Sequence, residues 1–245
     1  TATLENGTVT IDLGLFDAGE YNVTVTYDGD ELFYGASDNA SFTVSKIDTE
    51  LDVDVDAGEA FDDVTITVKG NEYATGNVTV IINGKEYPGV ISDEIVISNL
   101  TAGDYTAEIV YAGNDKVNGN STNVTFTVDK IADFDMELSE NVSAVSEGTI
   151  TVYLPILATG NVTITIDGEE YFANVTEGVA VVEIPPMAPG EYTYTIDYSG
   201  DVNYESTTAE DSFIVIKENA ELNITASEEG LSVELPENAT GYVLV

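Results

Sequence analysis

The chain has 245 residues, with 46 acidic side chains against six basic ones and a formal charge of −40. It contains no Cys, His or Arg, which excludes disulfides, thiolate and imidazole chemistry, Cys- or His-ligated metals and guanidinium clamps on phosphate. The basic surface that nucleic acid requires is missing, yet 43% of residues are hydrophobic, with 14 Tyr and 8 Phe, so the composition is not that of a disordered acidic tail.

The first residues, Thr1-Ala2-Thr3-Leu4-Glu5, carry neither a basic start nor an apolar run, so no signal peptide is expected. The chain opens in mid-pattern, as an excised or mature piece of something longer would. No stretch of eighteen apolar residues occurs, so no membrane-spanning segment is expected.

Internal repetition organises everything that follows. Ala18-Gly19-Glu20-Tyr21 opens an alternating run that ends in Tyr27-Asp28-Gly29-Asp30, and the block closes with Phe42-Thr43-Val44-Ser45-Lys46. The same block returns 84 residues later as Ala102-Gly103-Asp104-Tyr105, closing in Phe126-Thr127-Val128-Asp129-Lys130. It returns again as Pro189-Gly190-Glu191-Tyr192, closing in Phe213-Ile214-Val215-Ile216-Lys217. Thr75-Gly76-Asn77-Val78-Thr79-Val80 likewise reappears as Thr159-Gly160-Asn161-Val162-Thr163-Ile164. The expected division is residues 1–46 as the back half of a repeat, 47–130 and 131–217 as full repeats, and 218–245 as the front half of another.

Within a repeat the period is two. Val64, Ile66 and Val68 alternate with Thr65, Thr67 and Lys69; Val78, Val80 and Ile82 follow, then Ile95 and Ile97, then Tyr105, Ala107, Ile109 and Tyr111, then Phe126 and Val128. Such alternation places one face on a core and the other in water. Asn83-Gly84 and Asp167-Gly168 are two-residue hairpin signals, because both central positions of a type I′ turn need positive φ. About seven short strands per repeat of roughly 85 residues, with no helical stretch, predict an all-β chain of tandem immunoglobulin-like β-sandwiches without disulfides.

Tyr21, Tyr105 and Tyr192 each follow Gly and an acid and open a strand. They are the expected tyrosine corners, in which the hydroxyl bonds backbone just upstream. Two residues on, where antibody domains carry a disulfide Cys, the chain has Val23, Ala107 and Tyr194.

These blocks resemble the immunoglobulin-like repeats of adhesin-like surface proteins of methanogenic archaea, and are similar to bacterial Ig-like repeat domains. The resemblance covers essentially the whole chain. It implies an extracellular, cell-surface location and a role in attachment or in the envelope, and names no binding residue. The function expected is a structural stalk or coat segment rather than an enzyme. Its partners would be neighbouring repeats of the same or a longer chain, and the surface of another cell or the envelope.

Several clusters carry further expectations. Twelve Asn-x-Ser/Thr acceptors occur, at Asn6, Asn22, Asn39, Asn77, Asn99, Asn120, Asn123, Asn141, Asn161, Asn174, Asn223 and Asn238. Chance placement gives roughly three, so N-glycosylation is expected at some of them, turn and loop positions first. A polar outer strand face also generates such triplets without any modification. Asp52, Asp54 and Asp56, with the Asp28–Asp30 and Asp201 turns, offer oxygen ligands for calcium, or simply the solvated side of an edge strand. Lys46, Lys130 and Lys217 hold one repeat position and are read as surface ion-pair residues or as Lys–Asn cross-link donors. Tyr153-Leu154-Pro155-Ile156-Leu157 and Pro185-Pro186-Met187 depart from their siblings and are expected to pack on a neighbouring unit, with a ligand-binding loop as the alternative. Aligned by offsets, Val245 corresponds to Val80 and Thr1 to Lys85. The half-repeats are therefore expected either to have been cut from a longer chain or to be completed in trans, which would make a filament subunit.

Overall fold

Alternating Val/Ile and Thr leaves every second side chain of a pleated strand apolar, and two such surfaces pressed together exclude water from both. The computed structural model describes residues 1–14 and 16–244, so Leu15 and Val245 lie outside the described residues. The chain groups into two compact units, Thr1–Val128 and Asp129–Val245.

In the first unit, β1 (Gly19–Gly29) and β2 (Tyr34–Val44) form an antiparallel ribbon. Seven further strands follow: β3 (Asp52–Asp56), β4 (Val64–Lys69), β5 (Asn77–Ile82), β6 (Lys85–Val90), β7 (Glu94–Ile97), β8 (Gly103–Gly113) and β9 (Asn118–Val128). They make a three-stranded sheet, β3-β4-β7, and a four-stranded sheet, β6-β5-β8-β9. Val64, Ile66 and Val68 of one sheet and Val78, Val80, Ala107, Ile109 and Tyr111 of the other share a single buried cluster.

The second unit repeats this plan with β10 (Glu137–Asn141), β11 (Gly148–Tyr153), β12 (Asn161–Ile166), β13 (Glu169–Asn174), β14 (Val179–Ile184), β15 (Gly190–Tyr198) and β16 (Thr207–Val215). Its sheets are β10-β11-β14 and β13-β12-β15-β16. A last hairpin, β17 (Asn223–Ser227) and β18 (Gly230–Glu234), pairs with itself. No helix occurs among the described residues. The chain is therefore an all-β array of immunoglobulin-like sandwiches held without cysteine.

The hairpin signals have a direct physical outcome. Asn83 and Gly84 have φ of 51° and 79°, and Asp167 and Gly168 have 52° and 87°, the left-handed pair that a type I′ turn needs. At the tip of β8–β9, Gly113 has φ of +82°, and a Cβ there would meet Val117 O at 2.6 Å. No L side chain fits that hairpin.

Candidate functional site

The positions that recur across the chain build joints and locks rather than a cleft. Tyr21, Tyr105 and Tyr192 each donate a hydroxyl hydrogen bond to a carbonyl four residues upstream, Asp17 at 2.8 Å, Thr101 at 2.8 Å and Ala188 at 2.9 Å. Each ring stacks on the residue directly opposite in the ribbon, Phe42, Phe126 or Phe213, with centroids 5.4 to 5.6 Å apart. The Gly-acid-Tyr block and the Phe-x-Val block are thus two halves of one aromatic pair. Tyr105→Phe keeps the stack and loses the bond to Thr101. A loss of about 1 kcal/mol in chemical denaturation is expected.

A second tyrosine lock was not legible as such. Tyr111 and Tyr198, at the far ends of β8 and β15, are buried and donate to Thr75 O at 2.9 Å and Thr159 O at 2.8 Å. Burial first, then the charge of Asp201, pushes Tyr198 up to about 12. These bonds hold the four-stranded sheet to the turn leading into β5 or β12. The available signal was the Tyr-x-Gly-Asn/Asp ending itself, but its partner lies 36 or 39 residues away in sequence.

Of the carboxylates that could offer oxygen to calcium, Asp30 and Asp201 are engaged by backbone amides of their own turns. Asp30 Oδ1 accepts the amides of Leu32 and Phe33. The hydrogen bond with Tyr27 and then these two amides hold its carboxyl below the usual value. Asp201 Oδ1 accepts the amides of Asn203 and Tyr204, while Oδ2 accepts both the amide and the hydroxyl of Thr159 at 2.7 Å. Burial alone would raise the Asp201 carboxyl, but the bonds from Thr159, Tyr204 and Asn203 together hold it below its ordinary value. Asn114 does the same work in the first unit, accepting from Lys116 and Val117 and donating to Tyr73 O.

A carboxyl held low in the folded state stabilises it fully above the unfolded value of 3.8 and loses that contribution as pH falls through the folded value. Acid titration below pH 3.8 should therefore loosen the Asp201 turn. An Asp201→Asn variant, followed by near-ultraviolet circular dichroism, should lose that step.

Asp52, Asp54 and Asp56 lie on the exposed face of edge strand β3, and Asp54 pairs with Lys69 at 2.5 Å. Among the described residues no group of three or more acidic side chains is placed to hold a metal ion. Of the three repeat-position lysines, Lys46 and Lys217 are exposed, and Lys130 Nζ donates to the backbone oxygen of Asp201 at 2.6 Å. All twelve acceptor Asn are exposed: Asn6, Asn99 and Asn238 in turns or loops, the other nine within or at the ends of strands. In the divergent segments Leu154 is buried and Met187 half-buried, whereas Tyr153, Ile156, Leu157, Pro185 and Pro186 are exposed.

Each sandwich also captures the chain that enters it. The Ile47 amide donates to Lys116 O at 2.9 Å and its carbonyl accepts from Asn118. In the second unit Ile131 donates to Asn203 O at 2.8 Å and accepts from Glu205. The residue after the repeat-position Lys is thus pinned to the β8–β9 or β15–β16 hairpin as a short parallel bridge.

The fold and these locks define a class, the immunoglobulin-like sandwich repeat. No protein-family model matches the chain, and no curated protein matches it. Solved structures similar to it include a bacterial ice-binding adhesin of 1.5 MDa studied for host cell-surface retention. That match has 15% identity, covers 81% of this chain and 75% of that one, and has a TM-score of 0.33. The fibronectin(III)-like modules of Clostridium thermocellum CbhA match at 17% identity over 66% and 93%, with a TM-score of 0.28. The amphioxus IgVJ-C2 molecule matches at 18% identity over 70% and 98%, with a TM-score of 0.36.

Proposed function

We propose that the chain is an extracellular structural segment, part of the stalk or coat of an archaeal cell-surface adhesin-like protein, supporting attachment without catalysing a reaction. The observation that carries this reading is the capture of Ile47 and Ile131 by the hairpin tips of the sandwiches they enter. Only Ser45 and Lys46 separate β2 from Ile47, too few to act as a flexible linker. A spacer needs joints of this kind, because slack between beads lets an array fold back. The outward strand faces are Thr, Asn and acid, and the inward faces are filled with Val, Ile and Tyr. Carboxylates spread over outer faces keep like-charged segments apart.

Immunogold labelling of intact source cells tests the location. Label on the outer face is expected, and label confined to the cytoplasm overturns the reading. Glycosylation belongs to the same proposal, with Asn6, Asn99 and Asn238 the first acceptors because they lie off the strand ladders. A glycopeptide survey of the native protein should find sugar there, and bare Asn at all twelve positions removes glycan from the reading.

A further inference from the structure

The segment that leads into each sandwich lies across the tip of a long hairpin. In the first sandwich β8 and β9 meet there at Gly113 and Asn118, and β9 then runs to Val128 at the far end of the ribbon. Ile47 pairs with Val117 as a parallel bridge, so residues 47–49 and β9 run the same way. Tension along the chain pulls Lys46 back and Val128 forward, which slides the two segments past one another. Bonds spread across a sliding contact share the load and must break together. Bonds across an opening fork break one at a time.

Four bonds cross that contact. The Ile47 amide donates to Lys116 O and the Asn118 amide to Ile47 O, each at 2.9 Å. Asn118 Nδ2 donates to Asp48 Oδ1 at 2.7 Å, and Asn120 Nδ2 donates to Thr49 O at 2.6 Å. From the other side the Asn71 amide donates to Thr49 Oγ1 at 3.2 Å. Thr49 is 6% exposed, so water has little access to the bonds it makes.

The second sandwich is an internal control. It keeps the two backbone bonds at Ile131, and Lys130 Nζ donates to Asp201 O, but the side-chain stitch has lost its chemistry. Ala132 stands in the place of Asp48 and has no side-chain acceptor; Glu205 stands in the place of Asn118 and, ionised, has no donor. Thr207 replaces Asn120, and Pro155, without an amide N–H, replaces Asn71. Phe134 packs there instead, edge-on to Tyr198 at 5.9 Å and to Tyr204 at 5.5 Å. Such packing is non-directional, so a ring can creep along its neighbours, whereas a hydrogen bond stretched by about 1 Å is lost.

We propose that Asn118 and Asn120 form a shear clamp on the entering chain, which sets the force at which the first sandwich opens, and that the second sandwich opens at lower force. The clamp rests on the stalk reading only for the premise that the chain bears tension in use. Stretching single molecules reads the clamp and labelling cells reads the location, so either can fail without the other.

Constant-force stretching of the 245-residue chain, tethered at its two ends, tests it, because forced opening follows the unfolding rate. The wild type should give two large extensions, one per sandwich, well separated in time. In the double variant Asn118→Ala, Asn120→Ala the later extension should come about tenfold sooner, the rate effect of losing bonds of ordinary strength, while the earlier one stays in place. Asn118→Ala alone leaves the Asn120 bond intact. It should give a smaller shift in the same direction, and it carries the test if the double variant does not fold. Asn123→Ala, on the same strand but exposed and opposite Glu108, should move neither extension. Three results would each overturn the proposal: clamp variants that open like the wild type, a shift of the earlier extension in place of the later, or an Asn123→Ala chain that opens as early as the double variant.

Discussion

Replacing Tyr198 by alanine is expected to destabilise the sandwich of residues 137–215 by about 4 kcal/mol, the scale for truncating a buried large aromatic residue. The side chain is 1% exposed, meets the Phe134 ring edge-on at 5.9 Å, and carries the hydroxyl bond to Thr159 O. Alanine leaves a ring-sized void, a lone carbonyl, and nothing tying the end of β15 to the turn before β12. Tyr198→Phe separates the two effects: it keeps the packing, loses only the bond, and should cost about 1 kcal/mol. Tyr111→Ala is the matching change in the other compact unit, where the hydroxyl bonds Thr75 O. Because the cores belong to separate units, denaturant unfolding of either alanine variant should show two transitions, one shifted to low denaturant and one in its original place. A single transition moving as a whole in both variants would show that the sandwiches unfold as one body.

Much of the fold was legible because β-structure writes itself locally. Period-two runs at Val64–Val68 and Val78–Ile82 became β4 and β5, and the Asn-Gly and Asp-Gly pairs became hairpins, since strand and turn preferences need only near neighbours. The repeat then supplied what one copy lacks. Tyr21, Tyr105 and Tyr192 stand in the same frame, and each bonds a carbonyl only four residues upstream.

What stayed hidden was long-range pairing. The Tyr198-Ser199-Gly200-Asp201 ending reads equally well as a cation ligand and as a turn. Only the approach of Thr159, 42 residues upstream, turns its carboxylate into a staple. Tyr194 is a similar case. It stands where an antibody domain has its Cys, and its hydroxyl reaches Glu140 of β10 at 2.5 Å. Burial and then that carboxylate push the Tyr194 hydroxyl far up, so it stays protonated as a donor linking the two sheets. Nothing in the strand pattern of β10 announces a carboxylate that turns toward the opposite sheet.

One difference between the sandwiches rests on a glycine. Val64, fully buried, opens β4, and the matching residue at the start of β11 is Gly148, paired with Ile184 as Val64 is with Ile97. By local propensity valine is the better strand residue, so Gly148→Val looks like an improvement borrowed from a sibling. The opposite is expected. Six residues, 142–147, connect β10 to β11, against seven, 57–63, between β3 and β4. The shorter connection lies tight over the start of β11, where a Cβ on Gly148 would meet Asn141 O at 2.2 Å and Val142 Cα at 2.8 Å. Both contacts are backbone, so no rotamer change relieves them. Gly148→Val should therefore destabilise the second sandwich by about 3 kcal/mol, the upper range for overpacking. Lengthening 142–147 by one residue in the same variant should recover most of that loss. A Gly148→Val protein that melts like the wild type would mean that the connection yields, and that its length, not the glycine, sets the local geometry.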